Sequence, residues 1–155
     1  MTTKNVSELK VSDIMTDKVE TLTPVDTIKY AASLMVDSQV TTVPVIDGKN
    51  QCVGVLSRTD LTEMFLSEDN ALSSALDTDR LSVEWLNRSV DTSESRLVKE
   101  FMNYEVATIG SHQTVNAACQ EMVRRQIHHL PVVNENGGVI GIVSTFDIVK
   151  AVAQS

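Results

Sequence analysis

Apolar and polar residues along this chain follow two rhythms that switch at short, regular intervals. Between residues 27 and 38, Ile28, Ala31, Ala32, Met35 and Val36 fall at the i, i+3, i+4 spacing of a helix with one buried face, and Thr27 stands where an N-cap would accept an amide. Val43-Pro44-Val45-Ile46 then reads as a strand, Asp47-Gly48-Lys49-Asn50 as a turn, and residues 52–56 as a nearly continuous apolar strand. A closing helix is predicted over 58–66, preceded at the start of the chain by a short lead-in helix over 7–15 and a short strand over 18–22. Pro44 and Pro131 begin their strands, where the missing N–H is tolerated.

The whole pattern occurs twice. Residues 11–65 align with 98–152 without a gap at an offset of 87. Val11, Met15, Val19 and Thr21 recur as Val98, Met102, Val106 and Thr108. Thr27, Ala31, Met35, Val36 and Gln39 recur as Thr114, Ala118, Met122, Val123 and Gln126, and Gly54, Ser57 and Asp60 recur as Gly141, Ser144 and Asp147. Each copy has the order β-α-β-β-α, the second with its turn at 134–138, and the fold class is α+β. The predicted organisation is a first repeat with its lead-in at 1–66, a connector at 67–95 and a second repeat at 96–155. The connector is rich in Ser, Asp, Glu and Asn and is long for a bare loop. A helix over 79–87 would put Leu81 and Trp85 on one face, where Trp85 either clips the connector to the body or serves a dimer contact or ligand stacking.

Composition narrows the classes of function. With 42% hydrophobic residues the chain can bury a core, and aromatic content of 4% makes that core mostly aliphatic. A net charge of −8 with no basic run longer than Arg124-Arg125 argues against a nucleic acid polymer or an anionic membrane surface as partner. No apolar run approaches the ~20 residues of a membrane helix, and the first residues lack the apolar core of a signal peptide. Cys52 and Cys119 sit in apolar surroundings without metal or redox spacing, so they read as reduced core residues of a cytoplasmic protein. His112, His128, His129 and Cys119 match no zinc spacing, so no metal site is expected. Catalytic motifs are missing too: there is no nucleophile elbow, no phosphate-binding P-loop and no supported Cys/His pair, and no enzymatic activity is expected.

Val11-Ser-Asp-Ile-Met-Thr16, Val43-Pro-Val-Ile46 and Gly54-Val-Leu-Ser-Arg-Thr-Asp60 together resemble a cystathionine β-synthase (CBS) repeat. The second set is Val98-Lys-Glu-Phe-Met-Asn103, Leu130-Pro-Val-Val133 and Gly141-Ile-Val-Ser-Thr-Phe-Asp147, departing only at Phe101 and Asn103. Each motif is weak alone; all of them in order, twice, are specific. The resemblance implies a tandem pair, or Bateman module, with the repeats related by a pseudo-two-fold axis and a flat homodimer as its usual assembly. It also implies two clefts between the repeats that take adenosine-containing ligands, and a regulatory role toward a target that would here be a separate protein.

In the Ser-x-x-Asp element a strand feeds a helix, so the serine can be the N-cap and the aspartate lies at N3. One reading is a capping box, for which Glu or Gln is usual because Asp is short for the reach back. The other is a carboxylate placed to accept two ribose hydroxyls, with the helix N-terminus favouring an anion nearby. Carried over from the resemblance, one cleft would join Ser57, Arg58 and Asp60 with Asn103, Tyr104, Ile127 and His128. The other would join Ser144, Thr145 and Asp147 with Thr16, Asp17, Val40 and Thr41. His128 would meet phosphate in the first cleft, with Arg58 close to the helix start; His128 and His129 can equally be a polar strand edge. Arg124 and Arg125 either complement a helix dipole or contact phosphate, and Met15, Met35, Met102 and Met122 read as core. No cofactor is required on this reading, and the bound ligand would be AMP, ADP, ATP or another adenosine derivative. The competing function is a ligand-free dimerisation scaffold for a partner protein.

Overall fold

The structure, a computed structural model, describes residues 8–68 and 96–154. The helix expected over 79–87, with Leu81 and Trp85, lies outside the described residues. The ordered elements are α1 (Ile28–Asp37), β1 (Thr42–Ile46), β2 (Cys52–Ser57) and α2 (Arg58–Glu68), then β3 (Ile109–Gly110), α3 (Val115–Arg125), β4 (His129–Val133), β5 (Val139–Ser144) and α4 (Thr145–Ala153). β1 and β2 recur as β4 and β5 with the 87-residue offset kept at both ends. This mixed α+β arrangement is two copies of one small fold.

The chain divides into two compact units, and the division does not follow the repeats residue for residue. One comprises Glu20–Asp47 and Val53–Tyr104; the other comprises Met1–Val19, Gly48–Cys52 and Glu105–Ser155. Each unit thus holds the helices and main strands of one repeat together with the lead-in of the other.

In the first of these units β1 pairs with β2, and α1 packs on α2. Ile28, Ala31, Ala32 and Met35 form the buried face of α1, as the spacing predicts, and Thr27 Oγ1 accepts the Tyr30 amide at 3.1 Å. Their core is closed by Val43, Val45 and Leu56, and by Val98 and Met102 from the second lead-in. Burial of each such aliphatic side chain contributes about 1.5–3 kcal/mol, so the lead-in is part of the fold and no appendage. Its main chain is tied as well. Val98 N–H donates to Asp26 O at 2.8 Å, Ile28 N–H to Arg96 O at 3.0 Å, and Asn103 and Val55 exchange both amide bonds at 2.9 and 3.0 Å.

The other unit repeats these contacts with the roles reversed. Val11 N–H donates to Gln113 O and Val115 N–H to Leu9 O, both at 2.8 Å, while Thr16 and Ile142 exchange two bonds of 2.9 Å. Val11 is fully buried beside Ala118, Leu130, Val132 and Val143. β4 lies between β3, parallel to it, and β5, antiparallel.

Two short elements differ from expectation. In place of the lead-in helix over 7–15 stands a short 3-10 turn, Val11–Asp13, matched by Val98–Glu100. Its amides are committed elsewhere, Val11 and Ser12 to Gln113 and Ser111 carbonyls, and the Asp13 carboxylate takes the Lys10 amide at 2.9 Å. The strand over 18–22 is reduced to one parallel bridge from Leu22 to Val45. Pro24 has no amide to extend the pairing. Ser111 replaces Pro24 in the second repeat and donates to Val133 O at 3.2 Å, and there the strand β3 forms.

Gly54 and Gly141 sit where a lead-in crosses the second main strand. A Cβ on Gly141 would lie 2.7 Å from the Thr16 carbonyl oxygen and 2.9 Å from Met15 Sδ; on Gly54 it would lie 2.5 Å from Met102 Sδ. A thioether can turn away, whereas the Thr16 carbonyl is held by its bond to Ile142. Gly141→Ala should therefore cost about 1–3 kcal/mol and Gly54→Ala clearly less. Urea denaturation of both variants checks this, and a larger loss in Gly54→Ala would contradict it.

Candidate functional site

Each closing helix begins at a Ser-x-x-Asp element, and the two share one geometry. Ser57 Oγ accepts the Asp60 amide at 3.2 Å, while Asp60 Oδ2 accepts both the Ser57 amide and the Ser57 hydroxyl at 2.6 Å. Ser144 Oγ accepts the Asp147 amide at 3.2 Å, and Asp147 Oδ2 accepts the Ser144 amide at 2.9 Å and its hydroxyl at 2.7 Å. Aspartate therefore does reach back to the N-cap, contrary to the expectation that it is too short. The reach is direct, the serine hydroxyl donates to the same oxygen, and a reciprocal box closes with the shorter acid. The helix start and the carboxylate are thereby fixed in one orientation.

Capping consumes one carboxylate oxygen and leaves the other. Asp147 Oδ1 is taken by the Lys150 ammonium at 2.8 Å, an i, i+3 contact that the sequence reading missed and that the spacing could have supplied. Among the described residues no donor reaches Asp60 Oδ1. Asp147 is 8% exposed and Asp60 is half-buried. Burial by itself would push the Asp147 carboxyl up. The Lys150 ammonium, the Ser144 hydroxyl and the Ser144 amide overcome it and hold the group below its ordinary value.

The remaining candidates fall into place unit by unit. Beside Ser57 and Arg58, the Thr41 carbonyl accepts the Arg58 amide at 2.8 Å, so Val40 and Thr41 adjoin the start of α2. Asn103 pairs with Val55 on β2, and Tyr104, 63% exposed, donates its hydroxyl to the Lys99 carbonyl. In the other unit the His128 carbonyl accepts the Thr145 amide at 2.9 Å, so Ile127 and His128 adjoin the start of α4. Thr16, exposed like Asp17, pairs with Ile142 on β5. The sequence grouping of Asn103 and Tyr104 with Ser57, and of Thr16 and Asp17 with Ser144, follows these main-chain contacts. His128 and Thr41 make their main-chain contacts with the Ser-x-x-Asp element of their own repeat.

Other charged candidates are engaged elsewhere. Arg124 and Arg125 both clamp Glu121 on an exposed turn of α3 and lower its carboxyl to about 2. Such solvent-facing pairs contribute little stability. The His129 imidazole is pushed below its ordinary value by burial and by neighbouring His128, with Asp147 opposing. Cys52 and Cys119 are half-buried, and neither is in a disulfide. Among the described residues, no group of three or more His, Cys, Asp or Glu side chains is arranged to hold a metal ion, and no helix is long and apolar enough to cross a membrane.

Comparison with known proteins gives a consistent picture. The CBS domain profile matches residues 11–67 and 98–154. An uncharacterized 17.7 kDa protein of Acidianus ambivalens is 30% identical over 142 residues, which are 92% of this chain and 72% of that one. Homoserine O-acetyltransferase of Methanococcus vannielii is 28% identical over 95% of this chain, which spans only 25% of that enzyme. Among solved structures, the CBS-pair protein CBSX2 from Arabidopsis thaliana superposes with a TM-score of 0.72 at 25% identity, covering 94% of each chain. The CBS pair of protein MJ0100, solved with methylthioadenosine and S-adenosyl-L-methionine, gives 0.71 at 19% identity, covering 94% of this chain and 97% of that one.

The Asp147 box has a defined pH dependence. A carboxyl held below its ordinary value stabilises the fold above the unfolded-state value, near pH 4, and that contribution is lost as pH falls through the folded-state value. Asp147→Ala should cost about 1–3 kcal/mol at pH 7 without ligand, because the Ser144 amide loses its acceptor. The gap to wild type should narrow below pH 4; melting curves in which it stays constant down to pH 2 would contradict this assignment.

Proposed function

The chain belongs to the CBS domain family, and from that premise we propose that it is a regulatory module that senses an adenosine-containing ligand through its Ser-x-x-Asp elements. The observation that carries the reading is the half-buried Asp60 carboxylate, fixed by its capping bonds at Oδ2 and with Oδ1 open to a hydroxyl donor. A carboxylate held still in this way suits the vicinal diol of a ribose, since charge-assisted O–H···O⁻ bonds are among the stronger neutral–ion contacts. Ser57 and Arg58 at the helix start, with Asn103, Tyr104, Val40 and Thr41 of the same unit, are the proposed surroundings of Asp60. Ser144, Thr145 and Asp147, with Thr16, Asp17, Ile127 and His128, are those of the second element. Arg58 beside Asp60 and His128 beside Asp147 are the proposed phosphate contacts. Support comes from CBSX2, which has been crystallised with AMP, and from the MJ0100 pair with its adenosine-containing ligands. AMP, ADP, ATP and other adenosine derivatives all remain candidates. Binding, with no chemical step, is the proposed activity, and the regulated target is proposed to be another protein.

A second reading, a ligand-free scaffold, is favoured by a different observation. Phe146, Val149 and Val152 lie along one side of α4 and are 67, 59 and 55% exposed. An apolar helix stripe of this kind suits association with a second copy, and the homodimer is proposed on that basis. Light scattering should give two chains per particle, and Val149→Asp should give one. A single chain per particle in the wild type would count against the dimer.

The two readings separate by ligand binding. AMP should raise the melting temperature of the wild type, because it binds the native state alone. Asp60→Asn should weaken AMP by roughly 1–3 kcal/mol, or about ten- to a hundredfold. His128→Ala should weaken AMP more than adenosine, which carries no phosphate. No shift with AMP, ADP, ATP, adenosine, S-adenosylmethionine or NADH at millimolar concentration would leave the scaffold reading in possession.

A further inference from the structure

The two Ser-x-x-Asp elements agree in their capping bonds and part company one helical turn later. Three residues after Asp147 stands Lys150, its ammonium 2.8 Å from Oδ1 and 5.2 Å from the centroid of the Phe146 ring. Three residues after Asp60, at the corresponding repeat position, stands Glu63, an exposed carboxylate, and Thr59 replaces Phe146. In the second repeat both oxygens of the acid are therefore occupied, Oδ2 by Ser144 and Oδ1 by Lys150. In the first repeat the turn offers no cation, and among the described residues Oδ1 has no donor. Repeat symmetry supplies the comparison: same cap and same acid, with opposite charge at i+3 and, at the helix start, Arg58 in the place of Thr145.

The consequence follows from which donors can satisfy a buried carboxylate. Asp147 is nearly buried, so a departing ammonium must be replaced by other donors and not simply by water. A ribose diol could supply them, but its hydroxyls are neutral, and they must displace a charged donor that is already in place. Lys150 is half-exposed and ends a flexible stem, so it can leave, though the exchange has a cost. At Asp60 no such exchange is needed.

Resting on the ribose-binding reading above, we infer that Lys150 is a resident competitor for the Asp147 carboxylate, which makes Asp147 the weaker of two ribose-binding acids and Asp60 the stronger. The chain then fills its two elements at different ligand concentrations, and the difference is written in a single i+3 residue.

The test is calorimetry on the full chain with adenosine, which has the diol but no phosphate that could draw Lys150 into a new role. Lys150→Met keeps the stem over Phe146 and removes the ammonium; Lys150→Gln is a second variant should Met perturb folding. In an Asp60→Asn background, where Asp147 is the remaining ribose acid, Lys150→Met should tighten adenosine about three- to tenfold, the range expected for removing one half-exposed charged contact. Asp147→Asn should abolish that gain. Unchanged or weaker adenosine binding in the double variant, while Asp147→Asn still weakens the wild type, would overturn the role of Lys150 alone. A loss for AMP without any gain for adenosine would make Lys150 a phosphate ligand and overturn the inference as well. Adenosine binding that neither Asp60→Asn nor Asp147→Asn weakens would overturn the ribose reading and this inference with it.

Discussion

The structure depends on an exchange of main-chain hydrogen bonds between the two halves of the sequence. Residues 9–16 satisfy amides and carbonyls around α3 and β5, and residues 96–103 satisfy those around α1 and β2. The first amides of a helix have no partner inside it, and an unmatched buried amide costs on the order of 1–3 kcal/mol. Here the Arg96 carbonyl answers Ile28, and the Leu9 carbonyl answers Val115. A repeat cut out along its sequence boundaries would leave these groups without partners and would lose Val98 and Met102, or Val11, from its core. The tandem arrangement is therefore a requirement of hydrogen bonding before it is a requirement of function. The same crossings explain the glycines: where a lead-in runs against β2 or β5, Gly54 and Gly141 leave room for it.

That exchange also brings chemistry to the helix starts. Asn103 is locked beside β2 and Thr16 beside β5, each close in sequence to the polar residues that follow it. The capping box then holds the aspartate while spending only half its acceptor capacity. A glutamate, with one more rotatable bond, could cap equally well but would present its second oxygen less rigidly. Capping and ligand binding are thus not rival explanations of Asp60. On the proposed reading the first prepares the carboxylate for the second, which is the usual logic of a preorganised polar site.

Legibility from sequence followed the range of the interactions. α1, β1, β2 and their copies were readable because their periodicity reports burial on one face, and the 87-residue offset checks each assignment twice. The lead-ins were not, since their conformation is set by partners about a hundred residues away: nothing local shows that Ser12 donates to Ser111. The strand over 18–22 fails for a local reason visible in the sequence, Pro24 two residues after Leu22. At the candidate site the serines and aspartates were found through repetition. Lys150 does not show by that route, because repetition marks what the repeats share, and Lys150 against Glu63 is a difference between them.

Duplication supplies two copies of the Ser-x-x-Asp element, and on the proposed ribose-binding reading a graded response needs them to be unequal. Changing the acid itself would be a blunt way to achieve this, since the same carboxylate caps the helix and its loss leaves the serine amide unsatisfied. A residue one turn along the helix is freer to vary. The Lys150 side chain sits half in solvent and still reaches Oδ1. The energetics point the same way. A partly exposed ion pair is worth little to stability, so its presence or absence barely alters folding. Set against a neutral diol competing for one nearly buried oxygen, the same small energy becomes a several-fold change in occupancy. On the proposed reading, a side chain that contributes little to the fold is well placed to tune the site.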